Sequence, residues 1–237
     1  MKDILKCKDK KKSWCTIFFI TVLIPISVWI GSAIFPERIY ALTALIVVVL
    51  SCIPVFMRFE KRENVTKELT VLAVLIAISA TGRFIFAWIP GFKPVTAITV
   101  ITGVYLGREA GFVVGSLSAV VSNFYFGQGP WTPFQMFSWG FIGFLAGVFA
   151  SHLKNKKMNL LVYGALAGIL FSLIMDTWTT LWVDGSFNLA RYLTLCIAAL
   201  PVTIEYIISN IVFLIIMYEK IGDVLERVTV KYGLFQQ

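Results

Sequence analysis

The sequence predicts an all-α integral membrane protein, built as a six-helix bundle with two additional N-terminal transmembrane helices. Three observations lead to this fold class. The chain is 58% hydrophobic and 14% charged, with a mean hydropathy of +0.83, whereas soluble domains carry about 25% charged residues. Apolar runs of about twenty residues, each long enough to span a bilayer, recur along the chain. Because lipid leaves no partner for free backbone groups, runs of this length are expected to be helices and not barrel strands.

The apolar runs divide the chain into eight candidate helices joined by short connections. The charged stretch RFEKRENVTKE, residues 58–68, separates the first two helices from the rest. We therefore expect an N-terminal two-helix extension over residues 1–60 and a six-helix substrate-binding unit over 61–237. The candidate helices are 14–35, 39–57, 65–89, 94–107, 109–126, 133–153, 158–183 and 190–218.

The fourth candidate helix, 94–107, is short. At a rise of about 1.5 Å per residue it reaches roughly 21 Å, less than the ~30 Å hydrocarbon core of a bilayer. It is therefore expected to tilt, to thin the bilayer locally or to be extended by the preceding loop. Glycines recur at four-residue spacing in and after this helix, a pattern that lets membrane helices approach closely. They are Gly103, Gly107, Gly111, Gly115, Gly143, Gly147, Gly164 and Gly168.

The positive charges predict the orientation of the chain in the membrane. Lys and Arg cluster beside apolar runs, in segments 2–12, 58–67, 154–157 and 220–231. The loops of the opposite side contain only Arg38, Lys93 and Arg191. Because basic loops stay in the cytoplasm, both termini are expected there, in a multi-pass protein of a bacterial plasma membrane. The net charge of +8 is thus explained by membrane topology, and no nucleic-acid partner is expected.

Three ionisable residues lie within the apolar runs, where charge is costly and usually functional. Arg83 and Asp176 are expected at similar depth, roughly 8–10 Å below the outer ends of their helices. They are interpreted as an ion pair or as a pair that also lines an outward pocket. Glu205, four residues after Pro201, is interpreted as a helix-kink site with a satisfied carboxylate.

The sequence contains no pattern typical of catalysis. It has one His, no HExxH, no GxSxG and no phosphate-binding loop. The four cysteines form no CxxC pair and are interpreted as free thiols. We therefore predict no catalytic residue, no metal and no cofactor. A membrane-embedded enzyme using Asp176 and Glu205, and a structural subunit without a ligand, are kept as alternatives.

The stretch FGQGPWTPFQMFSWG, residues 126–140, interrupts the apolar runs with prolines, amides and tryptophans. An aromatic belt at the membrane interface accounts for several of the aromatic residues. A belt does not explain the nearby amides, or prolines that restrict the backbone beside them. Rigid loops with aromatic walls and a few amides favour a cavity for a neutral, planar organic ligand. The candidate substrate-binding residues are Arg83, Phe92, Lys93, Asn123, Gln128, Trp131, Gln135, Trp139, Asp176 and Trp182.

A second candidate surface lies on the third helix. Ala73 and Ala77 are four residues apart and are followed by Ala80. Alanines at this spacing form a flat strip on which another membrane helix can lie closely. These three alanines are the candidate partner-docking residues.

Together these features resemble an S-component of an energy-coupling factor (ECF) transporter, the small membrane subunit that captures a vitamin. The six-helix unit has the size of this family, and Ala73-x-x-x-Ala77 matches its contact with the transmembrane coupling subunit. Residues 93–147, KPVTAITVITGVYLGREAGFVVGSLSAVVSNFYFGQGPWTPFQMFSWGFIGFLAG, are similar to the branch that includes cobalamin-specific members. The two N-terminal helices depart from the six-helix pattern.

The resemblance implies a function and a set of partners. The subunit would bind a vitamin from outside, with cobalamin as the best guess and a flavin, a folate or another heterocycle as alternatives. It would then dock on a coupling subunit that carries two ABC ATPases, and rotate in the bilayer to release the vitamin inside. The absence of an ATP-binding motif in this sequence agrees with dependence on such partners.

Overall fold

A computed structural model of the chain describes residues 17–27 and 65–235, together with single positions 30, 46 and 50. All regular secondary structure in these residues is helical, which confirms the all-α class. Residues 17–27 are helical and include a π-helix, Phe19–Leu23. The predicted helices 14–35 and 39–57 otherwise lie outside the described residues.

Eight helices follow one another in the continuous stretch that begins at Val65. They are α1 (Val65–Ile85), α2 (Val95–Leu106), α3 (Arg108–Phe126), α4 (Thr132–Val148), α5 (Ala150–Asn155), α6 (Lys157–Asp184), α7 (Leu189–Ala198) and α8 (Leu200–Tyr232).

Two of the predicted helices are each divided in the structure. The predicted helix 133–153 is α4 and α5, which meet at Phe149. The predicted helix 190–218 is α7 and α8, and α8 continues to Tyr232. The second division lies at Ala199, just before Pro201, whose missing N–H and bulky ring disfavour an uninterrupted helix. Helix α8 ends later than the predicted end at residue 218, because charged residues continue the helix beyond its apolar part.

Three helices of the described residues are long and apolar enough to cross a membrane: α1, α6 and α8. Helices α2 and α7 are apolar but shorter. These helices agree with a membrane protein, whereas the total of eight spans stays a prediction.

The short helix α2 forms the centre of the bundle. Every residue of α2 except Tyr105 is buried, and the helix packs against α3, α4 and α8. A helix that is apolar on all sides belongs in a protein interior. The expected tilt or bilayer thinning is therefore not required, because neighbouring helices and not lipid surround α2.

Glycines bring α2, α3 and α4 into backbone contact. A side-chain carbon on Gly103 or on Gly111 would overlap with the carbonyl oxygen of Gly143. A side-chain carbon on Gly143 would in turn overlap with the carbonyl oxygen of Gly111. The predicted close approach of helices at these glycines is confirmed, and it joins three helices at one point.

The aromatic and amide-rich loops lie at one end of the bundle. Arg83, near the end of α1, hydrogen-bonds Asn123 near the end of α3. Trp131, before α4, contacts Trp178 near the end of α6. These contacts bring together the loops that follow α1, α3 and α6.

The basic segments lie at the opposite end. Lys154 of α5 pairs with Glu226 of α8 at 3.2 Å. At the start of α1, the buried carboxylate of Glu68 accepts a hydrogen bond from the backbone N–H of Phe235. The residues after α8 therefore return to the beginning of α1.

Candidate functional site

A cavity lies between the loop that joins α1 to α2 and the helices α4, α6 and α8. Its empty volume is about 290 Å³, including the space at its mouth. Aromatic rings, one amide and one ammonium group line it. The lining residues are Gly91, Lys93, Val95, Thr96, Trp139, Gly168, Phe171, Tyr206 and Asn210.

Helix α8 holds the loop that forms one side of the cavity. The Glu205 carboxylate accepts a hydrogen bond from the backbone N–H of Gly91 at 3.0 Å. The Ser209 hydroxyl accepts from the Lys93 N–H at 2.8 Å and donates to the Lys93 carbonyl at 3.1 Å. Glu205 is thus satisfied, as expected, but its partner is this loop and not the backbone of a kinked helix.

Substitution of Gly91 is expected to separate this loop from α8. A Cβ at this position would lie 2.5 Å from Cβ and 2.6 Å from Oε2 of Glu205. In Gly91→Ala we therefore expect the affinity for the ligand to fall at least about tenfold, equivalent to about 1.4 kcal/mol. Trp88→Ala, in the same loop at a side chain that is 77% exposed, is the control. Equal affinities of the two variants by equilibrium titration would contradict the role of the loop.

Arg83 is buried at the loop end of α1, where it contacts α3. Its Nη1 donates to Ser122 Oγ at 2.6 Å and to Asn123 Oδ1 at 2.7 Å. The guanidinium also lies over the Trp139 ring, 5.2 Å from the centroid. Arg83 therefore stands directly behind one wall of the cavity.

The predicted ion pair between Arg83 and Asp176 is wrong, since the structure over its described residues contains no such contact. The reason is the packing of the helices, because α1 packs mainly against α2 and α3. Asp176 lies beside Cys196 of α7, and its Oδ2 is buried without a hydrogen-bond partner. No group of three or more His, Cys, Asp or Glu side chains in the described part of the chain could hold a metal ion.

Trp139 is the predicted tryptophan that lines the cavity. Its side chain is 5% exposed, and its ring stacks on Phe171 with centroids 4.9 Å apart and planes inclined by 21°. The two stacked rings cover each other on one face and give this side of the cavity an apolar, aromatic wall.

Trp139→Ala is expected to weaken ligand binding more than any other tryptophan substitution. Losing one buried contact costs about 1–3 kcal/mol, which is roughly 5- to 150-fold in affinity. Trp182→Ala is the matched control, because Trp182 is 44% exposed and does not line the cavity. Isothermal titration of both folded variants measures the difference, and unchanged affinity in Trp139→Ala would exclude this ring from the site.

The predicted amides form a network beside the cavity and do not line it. Asn123 Nδ2 donates to Thr132 Oγ1 at 3.0 Å and to Gln135 Oε1 at 2.9 Å. Thr132 Oγ1 donates to Gln128 Oε1 at 3.1 Å, and Gln128 Nε2 donates to the Val120 carbonyl at 2.9 Å. These bonds hold the loop between α3 and α4 against α3, so the amides serve to position Arg83 and that loop.

The remaining predicted aromatic residues pack against other rings. Trp131 contacts Trp178 edge to face at 5.9 Å, and Trp178 stacks on Trp182 at 6.4 Å. Phe92 packs against Phe213 of α8, with centroids 4.8 Å apart. None of Trp131, Trp182 and Phe92 lines the cavity.

Sequence reasoning missed the contribution of α6 and α8 to the cavity. Phe171 comes from α6, and Tyr206 and Asn210 come from α8. A signal was present, because Tyr206 and Asn210 are four residues apart, on one face of the helix. Asn210 Nδ2 also donates to the Gly164 carbonyl at 3.0 Å, which joins α8 to α6.

In a comparison with known protein families, a model described as "ECF-type riboflavin transporter, S component" matches residues 63–227. The matched region is more than half of the 237 residues and contains every residue that lines the cavity. No curated protein and no solved structure matches the chain.

Proposed function

The chain belongs to the family of ECF-type riboflavin transporter S-components, and on this premise we propose that it captures a flavin-type heterocycle in the cavity behind Trp139. A substrate-binding transporter subunit in a membrane is what the family and the apolar helices support. Cobalamin, the best guess from the sequence, is not confirmed.

The lining of the cavity supports a flavin-type ligand over a corrinoid. Trp139, Phe171 and Tyr206 give the cavity aromatic walls, which suit a fused aromatic ring system. A corrinoid is several times larger than a flavin, so it would require a greater displacement of the loop that Glu205 and Ser209 hold.

The direction of capture follows from the distribution of charge. The cavity lies at the end of the bundle with the aromatic loops, and the basic segments lie at the other end. We place the cavity end outside the cell and both termini in the cytoplasm, because basic segments remain inside. The ligand then enters from outside, and the loop joining α1 to α2 closes over it.

Delivery depends on partners in this proposal. S-components work with a coupling subunit and ATPases, and the chain carries no phosphate-binding loop of its own. Ala73 and Ala77 are exposed on α1, on either side of the middle of that helix. This strip is the proposed contact with the transmembrane coupling subunit, which carries two ABC ATPases.

An enzymatic role receives no support from the two carboxylates that lie within apolar helices. Asp176 lies beside Cys196 of α7, whereas Glu205 bonds the backbone of Gly91. Neither carboxylate lines the cavity, and the family is one of transporter subunits.

Direct binding tests the proposed function. The purified full chain in detergent is titrated with riboflavin, and quenching of flavin fluorescence is measured. We expect saturable binding with one ligand per chain, and loss of affinity in Trp139→Ala. Cobalamin and folic acid are titrated in parallel, monitored by absorbance and by calorimetry. Saturable binding of cobalamin without binding of riboflavin would overturn the flavin assignment, and no binding of any heterocycle would overturn vitamin capture.

A further inference from the structure

Two cationic side chains share one aromatic ring beside the cavity. The Arg83 guanidinium carbon lies 4.5 Å from the centroid of Phe126, and Lys93 Nζ lies 5.5 Å from the same centroid. Lys93 lines the cavity, and Arg83 lies over Trp139, which also lines it. The two positive charges are therefore concentrated at one wall.

No carboxylate of the described residues forms an ion pair with either cation. The ion pairs in that part of the chain do not include Arg83 or Lys93. The Arg83 hydrogen bonds go to the neutral oxygens of Ser122 and Asn123. Asp184 is paired with Arg191, Glu205 accepts from the Gly91 backbone, and Asp176 lies beside Cys196. Neither cation therefore has an ion-pair partner within the described protein.

One donor of Arg83 is still unused. The side chain is 6% exposed, and its Nε is buried with no hydrogen-bond partner. Burying a charged donor without a partner is unfavourable, and a second cation nearby adds repulsion. Cation–π contacts with Phe126 and Trp139 offset only part of that cost. A negative group on a ligand beside Lys93 would offset this repulsion without reaching Arg83.

We infer that the ligand of the cavity carries an oxygen anion, a carboxylate or a phosphate, bound by Lys93 on the wall whose positive charge Arg83 increases. This inference rests on the proposed function and replaces the neutral ligand expected from the sequence. The ammonium of Lys93 offers a point charge and hydrogen-bond donors to such an anion, and the guanidinium of Arg83 adds positive charge from behind Trp139. The ring system of the ligand lies against the aromatic wall, and its acidic substituent points to Lys93.

Matched ligand pairs that differ by one acidic group test this inference. Riboflavin is compared with riboflavin 5′-phosphate, and pterin with pterin-6-carboxylate, by fluorescence titration of the full chain in detergent. We expect the acidic member of at least one pair to bind ten or more times as tightly as the neutral member. Preference within only one pair identifies phosphate or carboxylate as the anion.

Variants then assign the preference to the two cations. In Arg83→Gln and in Lys93→Gln we expect the ratio of the acidic-ligand affinity to the neutral-ligand affinity to fall below about threefold. Arg191→Gln is the control, because Arg191 is a surface cation at the same end of the bundle, paired with Asp184. If Arg83→Gln does not fold, Lys93→Gln, in a loop, decides the assignment.

The outcomes separate this inference from the proposed function. If the acidic and neutral members of both pairs bind equally, the inference of an anionic ligand is overturned and heterocycle capture stays intact. The same follows if the preference for the acidic member persists in both variants. If no heterocycle binds, the proposed capture of a heterocycle is overturned. Binding of an anion is then tested with inorganic phosphate and acetate alone. Thermal stabilisation of the wild type by either anion, absent in Lys93→Gln, supports the inference, and no stabilisation overturns it.

Discussion

Ala77→Trp is expected to abolish uptake in cells while the isolated subunit binds its ligand with affinity changed less than about twofold. Ala73 and Ala77 are exposed on α1, whereas Leu72, Leu75 and Ser79 of the same helix are buried. An indole on the exposed strip prevents the close helix approach that alanines permit. The cavity does not include any residue of this strip, so ligand binding stays unaffected.

The test separates docking from binding. Uptake of labelled ligand is measured in cells that express the whole transporter, and affinity is measured on the purified subunit. Leu166→Trp is the control, because Leu166 lies on α6 and is 57% exposed, so it introduces the same bulk at another exposed surface. The docking assignment is wrong if both Ala73→Trp and Ala77→Trp form the full complex and transport normally.

Gly143→Leu is expected to destabilise the protein more than a leucine at any exposed helix position. Gly143 of α4 contacts the backbone of Gly111 in α3 and the side chain of Thr99 in α2. A leucine there must push three helices apart, and overpacking of this kind costs about 1–3 kcal/mol or more. For a protein of this size that lowers the melting temperature by roughly 5–10 °C.

Thermal unfolding in detergent, followed by size-exclusion chromatography, measures this effect. Ala198→Leu is the control, because Ala198 is exposed on α7 and the substitution adds a side chain where no neighbouring helix must move. A Gly143→Leu protein that melts within about 2 °C of the wild type would show that α2, α3 and α4 can separate without loss of stability.

The sequence by itself determined the class of the protein and the separation of its two ends. Long apolar runs predict helices, because lipid cannot hydrogen-bond a free backbone, and the distribution of Lys and Arg distinguishes the basic loops from the aromatic ones. Glycines at four-residue spacing predicted close approach of helices, but not which helices meet. These are local properties of the chain, so no knowledge of the packing was required.

Within the cavity, the sequence identified residues of unusual type but not their neighbours. Lys93 and Trp139 were predicted and line the cavity, and Arg83 stands behind it. Gln128 and Gln135 were predicted for the same reason, yet they bond to the loop and to α3. An amide beside tryptophans has the same pattern whether it faces a ligand or completes a protein network, so its role depends on its partners.

Only the tertiary structure decided which helices enclose the cavity and which charges meet. Arg83 and Asp176 have opposite signs and similar predicted depth, which favoured a pair, but α1 packs against α3 and brings Arg83 to Asn123. Phe171 and Tyr206, far apart in sequence, face the same cavity because α6 packs against α8. Depth and charge are encoded locally, whereas the lateral arrangement of the helices arises from packing between distant segments, and that arrangement creates the site.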